Sequence, residues 1–161
     1  MNFIRRHWFW PVLLAAFLAA QLWANRELVT GEAPAIHAAD LQGRPFDLAQ
    51  LRGRPALVYF WGSWCSICRA MQSTIQAVAS DFPVITVALR SGGADAVTRY
   101  QNEQDFHPPT VLDEGGKISE AYGLRGVPAA LILGPDGVIR YAAMGYTSEI
   151  GLRFRLWLAG L

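Results

Sequence analysis

A mixed β-sheet covered by helices on both faces is the α/β architecture that the sequence predicts, on three observations. Strand-length apolar runs alternate with stretches of helical period through the middle of the chain. Near the end, Gly134-Pro135-Asp136-Gly137 joins two apolar runs as an antiparallel hairpin. The 161 residues, 52% hydrophobic and 17% charged, suffice for one domain with a real core but not for two ordinary ones. The same figures exclude several classes of function. Fourteen basic against 13 acidic side chains leave a net charge of +1, with no basic field for a nucleic-acid partner. Disorder does not suit this hydrophobicity, and two cysteines cannot staple a small secreted scaffold.

Taken in order, the first stretch is a membrane signal. Arg5, Arg6 and His7 precede the apolar run Trp8–Ala24, in which Gln21 is the only polar member. Its seventeen residues, if helical, rise about 26 Å against a hydrocarbon core of roughly 30 Å. Trp8 and Trp10 mark one end and Trp23 the other, where amphipathic rings favour the headgroup regions. Pro11 falls in the first turn, where a missing amide donor costs little. A cleaved signal peptide shares the basic-then-apolar order but needs a small-x-small site. Leu18 two before Ala20, and Leu22 two before Ala24, break that pattern, which favours an uncleaved single-pass anchor. Under either reading the remainder of the chain is exported. The expected organisation is an anchor over 1–26, a tether over 27–34 and a globular domain over 35–161. Residues 27–161 carry 11 basic and 13 acidic side chains, close to neutral.

Within the domain, Ala35–Asp40 and Phe46–Leu48 flank Leu41-Gln42-Gly43-Arg44 as a hairpin. Pro55–Trp61 is a continuous apolar run of strand length, suited to a sheet centre buried on both faces. From Cys65 the period changes: Cys68, Met71, Ile75, Val78 and Phe82 recur at one helical face until Pro83. Val84–Leu89 is a second buried strand. Ser91-Gly92-Gly93 opens a helix over Ala94–Gln104, Thr110–Leu112 is a short strand, and Lys117–Tyr122 is a short helix stopped by Gly123. Ala129–Leu133 and Val138–Met144 form the late hairpin. A last helix starts near Ser148, with Ile150, Phe154, Trp157 and Leu158 as its apolar stripe beside Arg153 and Arg155.

Cys65-Ser66-Ile67-Cys68 admits three explanations. A structural disulfide closing so small a loop contributes only about 2 kcal/mol by chain entropy. Structural zinc wants four ligands, whereas His7, His37 and His107 are scattered. Haem attachment needs His after the second cysteine, and Arg69 stands there. A redox dithiol has local physics behind it. Cys65 meets the first turn of a helix, where unpaired amides and the positive dipole end stabilise a thiolate. Cys68, one turn on, faces the core. An exposed attacker and a shielded resolver result, and Cys65 is expected to titrate at roughly 5.5–7.5, below the free value of about 8.5.

Phe60-Trp61-Gly62-Ser63-Trp64-Cys65-Ser66-Ile67-Cys68-Arg69 resembles the active-site segment of the thioredoxin superfamily, F-W-A-x-W-C-x-x-C-K/R. Gly126-Val127-Pro128 resembles its cis-proline loop. The anchor and the Asp40–Arg54 segment are similar to membrane-tethered bacterial members. Val87–Gly92, with Gly145–Ser148 and Gly151–Trp157, resembles the suppressor-for-copper-sensitivity D group of protein disulfide oxidoreductases. Two positions depart from the superfamily pattern. Tyr59 stands where thioredoxins keep a buried Asp, and Met71 where tethered reductases of cytochrome c maturation usually keep a Glu, so no proton acceptor for Cys68 is named.

The resemblance implies a thioredoxin-like fold and a thiol–disulfide oxidoreductase whose only redox group is the Cys65–Cys68 disulfide, with no other cofactor and no metal. Cys65 would be the nucleophile and Cys68 the resolving thiol. Trp64 would pack beside the dithiol, and a cis-Pro128 would leave Val127's backbone free to pair with an extended substrate. Arg69 would support the thiolate or stand solvated. Implied partners are proteins with disulfides and a transmembrane electron donor, with the domain in the periplasm on the inner membrane. Potentials across the superfamily span about 150 mV, roughly 7 kcal/mol. Ser66-Ile67 brings neither cation nor histidine to the thiolate, which points to an intermediate or reducing protein, with a link to copper tolerance through the subgroup. The alternatives are a periplasmic oxidant or cytochrome c maturation reductase, a Cu(I) module with His107 as third ligand, and a scaffold with an incidental dithiol. His37, His107, Met71 and Met144 are read as ordinary loop, surface or core residues.

Overall fold

The computed structural model describes residues 11–13, 15–16 and 31–161. Most of the segment read as an anchor (1–26), and the first half of the tether, lie outside the described residues. Among the described residues no helix is long and apolar enough to cross a membrane.

The sheet is built around β4 (Ala56–Trp61), whose six residues are all buried. Alternate side chains of a strand point to opposite faces, so Leu57, Tyr59 and Trp61 enter one core and Val58 and Phe60 the other. β5 (Val84–Leu89) runs parallel to β4, and β6 (Thr110–Asp113) parallel to β5. On the other side β7 (Ala129–Leu133) is antiparallel to β4, and β8 (Val138–Met144) antiparallel to β7. The β7–β8 turn depends on Gly137, whose φ of +83° suits glycine. Inside the stretch read as a tether, β1 (Gly31–Glu32) adds a short antiparallel edge to β8. The sheet order is β1-β8-β7-β4-β5-β6.

β2 (His37–Ala39) and β3 (Pro45–Asp47) form the expected hairpin, but as a separate two-stranded sheet joined to β6 by an Asp40–Val111 bridge. The Asp40 carboxylate closes its turn by accepting from the Gln42 and Arg44 amides, both at 2.9 Å.

Five helices follow from Cys65 onward. α1 (Ser66–Ala70) and α2 (Gln72–Ala79) replace the single helix the spacing predicts. They part at Met71, whose amide turns back to the Cys68 carbonyl at 3.1 Å, a tight i→i−3 turn. The predicted face survives the break: Cys68, Met71, Ile75 and Val78 are buried in one core. α3 (Ala94–Gln104) and α4 (Lys117–Ala121) follow, then α5 (Glu149–Ala159), capped by the Ser148 hydroxyl on the Gly151 amide at 3.3 Å.

α5 requires a correction. Its buried side chains are Leu152, Leu156 and Ala159, whereas Ile150, Phe154 and Trp157 are exposed. Both sets repeat at 4 and 3 residues, so the period identifies a helix without choosing between two apolar stripes. Arg153 decides the rotation. It reaches Asp81 at 2.6 Å, Glu149 at 2.7 Å and the Ala77 carbonyl at 2.8 Å, fastening α5 across the end of α2.

Candidate active site

The site begins where β4 runs out. Trp61 is held in the core by its indole N–H on the Thr86 hydroxyl at 3.0 Å, and it stacks on Tyr100 with Phe106 at its edge. At Gly62 the Trp64 indole crosses so closely that a Cβ there would sit 2.6 Å from it. Trp64 itself is not a core aromatic. It is exposed, and its indole N–H donates to the Leu89 carbonyl at 3.3 Å. The Ser63 amide donates to the Ser91 hydroxyl at 2.9 Å. Strand β5 and the turn after it thus fix the loop that delivers Cys65.

Cys65 is the N-cap of α1, with φ −94° and ψ 111°. Its Sγ accepts the Cys68 amide at 3.0 Å, the role a Ser or Asp oxygen plays at other helix starts. Cys65 and Cys68 are joined as a disulfide, with Cα atoms 5.2 Å apart. Cys68 is shielded as expected, at 1% exposure, but Cys65 is not an open attacker, because it retains only 7%. The loop before β7 covers it: the Val127–Pro128 bond is cis, and the Val127 carbonyl oxygen lies 3.7 Å from Cys65 Sγ. Among the described residues, the Val127 amide makes no backbone hydrogen bond.

Behind the disulfide the surroundings are buried and uncharged. Tyr59, on the same core face, is buried, and its hydroxyl has no hydrogen-bond partner. Burial, with the neighbouring Tyr100 adding to it, pushes its phenol far above the usual range, so Tyr59 stays protonated and cannot accept a proton as a carboxylate would. The Tyr100 hydroxyl accepts from the Gln72 side-chain amide at 2.9 Å. Arg69 is exposed to solvent.

His37 and His107 are exposed and sit beside Asp47 and Asp105 at 3.4 and 3.2 Å. His107 is fixed by its amide to Gln76, eleven residues past Cys65 along the helix pair, which is roughly 16 Å of helical rise. The structure therefore does not bring it to the dithiol. Among the described residues no three His, Cys, Asp or Glu side chains are grouped to hold a metal. Met71 is fully buried, and Met144 packs against the second core.

Three residues near the site carried no chemical reading in the sequence. Ser91 positions the Cys65 loop, and Gln72 and Tyr100 form the polar pair behind it. Ser91-Gly92-Gly93 was a visible signal, since a small polar residue beside glycines suits close backbone approach. Gln72 and Tyr100 had none.

A disulfide capping the helix that follows a central strand, opposite a cis-proline loop on a mixed sheet, defines a thioredoxin-like oxidoreductase. The chain belongs to the AhpC/TSA family, whose model matches residues 29–142. A thioredoxin-like protein of Haemophilus influenzae is 36% identical over 139 residues, 85% of this chain and 83% of that protein. The thiol-disulfide oxidoreductase ResA of Bacillus thuringiensis is 28% identical over 112 residues, 67% of this chain and 65% of its own length. A secreted Mycobacterium tuberculosis disulfide oxidoreductase of known structure superposes with a TM-score of 0.66 at 25% identity, covering 76% of this chain and 95% of that one.

Proposed function

We propose that the chain is a thiol–disulfide oxidoreductase that reduces protein disulfides on the periplasmic side of a bacterial inner membrane, tethered there by Trp8–Ala24. The observation that carries this reading is the placement of Cys65: helix cap, disulfide partner of Cys68 and neighbour of the Val127 carbonyl at once. In the reduced enzyme the Cys65 thiolate, held by the Cys68 amide and the start of α1, attacks one sulfur of a substrate disulfide. That bond breaks, one substrate thiolate leaves and takes a proton, and a mixed disulfide remains. Cys68 then gives up its proton to solvent and attacks Cys65 Sγ, releasing the second substrate thiol. Two electrons have passed to the substrate and Cys65–Cys68 is oxidised. Val127's amide and carbonyl would pair with an extended substrate segment. The disulfide is the only redox group the reaction needs, and a membrane dithiol donor would restore it.

The reducing direction is supported by what surrounds the sulfur. A strong oxidant stabilises its reduced, thiolate form, whereas here one amide and a helix start face Cys65, and Tyr59 behind it is neutral. Membership of the suppressor-for-copper-sensitivity D group, and a role in copper tolerance, are part of the same proposal. They rest on Val87–Gly92 and Gly145–Trp157. The purified protein should catalyse dithiothreitol-driven reduction of insulin, and Cys68→Ser should accumulate mixed disulfides with its substrates. Absence of both activities would remove the enzymatic reading.

A further inference from the structure

Among the exposed large apolar side chains, three lie on one line of α5. Ile150, Phe154 and Trp157 repeat at 4 and 3 residues and are 82%, 57% and 57% exposed. Phe154 and Trp157 stack at 6.2 Å. Among the described residues, Asp81 and Glu149 beside this stripe are both paired with Arg153. A helix with one stripe in the core and a second, aromatic stripe facing outward has a face with no partner among the described residues.

The position of this face names its occupant. Ala56, Leu133, Ile139 and Gly31 lie in one row across β4, β7, β8 and β1. With strands about 4.8 Å apart, Gly31 is about 14 Å from Ala56. Gly160 abuts Pro55, since a Cβ there would lie 2.9 Å from the proline ring. The end of α5 and the point where Gly31 joins the sheet therefore share the end of the domain opposite Cys65. Only six residues, Asn25 to Thr30, separate Gly31 from the apolar run, and fully extended they span about 20 Å.

We infer that the outer stripe of α5 is a lipid-docking surface, which lays the domain against the outer leaflet beside its own anchor. Tryptophan and phenylalanine on one face of a helix suit the headgroup boundary, to a depth of about 5–10 Å. The inference rests on Trp8–Ala24 remaining attached as an anchor.

The test uses the full chain in phosphatidylethanolamine–phosphatidylglycerol vesicles with Cys65–Cys68 kept oxidised. A nitroxide is placed in turn at Ile150→Cys, Phe154→Cys and Trp157→Cys, with Thr98→Cys, exposed on α3, as the control. Collisions with oxygen should rise, and those with a water-soluble nickel chelate fall, at the three stripe positions and not at the control. Stripe labels as accessible to nickel as the control overturn the inference. Labels hidden from both reagents in nanodiscs holding one chain mean that another segment of this chain covers the face, and that also overturns it. So does protection that disappears as protein is diluted in lipid, which marks a second copy. Release of the chain by alkaline carbonate removes the anchor and the docking together, while dithiothreitol-driven insulin reduction tests the redox reading separately.

Discussion

The two ends of the central sheet treat their exceptional side chains in opposite ways. At the end where β4 stops, a sulfur of the disulfide is covered, with Cys65 at 7% exposure beneath the Val127 loop. At the other end, where α5 finishes against Pro55, an aromatic stripe is left open, with Trp157 at 57%. Chemistry is usually associated with openness and apolar bulk with burial, and here each is reversed. A covered sulfur with a backbone edge beside it suits a site that selects its partner by main-chain pairing. An open apolar stripe on a soundly packed helix concerns where the domain sits, not how it folds.

Four substitutions break or sharpen that contrast. Cys65→Ser should bring disulfide reduction to the uncatalysed background, whereas Trp157→Ala should leave insulin reduction in solution unchanged; turnover assays on both decide it. Next, Ile75→Ala, under the site on α2, should cost about 2–5 kcal/mol in urea unfolding, because its side chain is wholly buried. Ile150→Ala on the outer stripe should stay within about 0.5 kcal/mol. Equal losses at the two positions would mean that the stripe is part of the core after all.

A smaller effect is expected at Tyr59. Its hydroxyl is buried without a partner, so Tyr59→Phe should leave stability unchanged or raise it by up to about 1 kcal/mol. A clear loss in the same unfolding measurement would reveal a partner for that hydroxyl. The smallest concerns the clamp on α5. The Arg153 hydrogen bond holds the Asp81 carboxyl below its ordinary 3.8. A depressed native pKa contributes stability that is present above the unfolded value and lost as pH falls through the native one. Asp81→Asn should therefore be slightly less stable than the parent at neutral pH and converge with it on acidification below the carboxylate range, in thermal unfolding followed across pH.

The legible parts of the molecule are those governed by neighbours in sequence. The limits of β5, α3, β7 and β8 agree with apolar runs and turn residues, and the Cys65–Cys68 spacing announced its chemistry. What stayed hidden depends on distant partners. The cover over Cys65 comes from Val127, 62 residues away, and the loop that delivers it is held from Ser91, 28 residues on from Ser63. The break at Met71 has no proline or glycine to mark it. On α5 two stripes of equal period competed, and only the Arg153 contacts to α2 and Asp81 chose between them.

The central claim is that Cys65 is held as a nucleophile by the first turn of α1. Its rate of alkylation in the reduced protein, measured across a pH series with Cys68→Ser as background, tests this most directly. An ionisation at roughly 5.5–7.5 is predicted; one at about 8.5, the value of an unperturbed thiol, would contradict it.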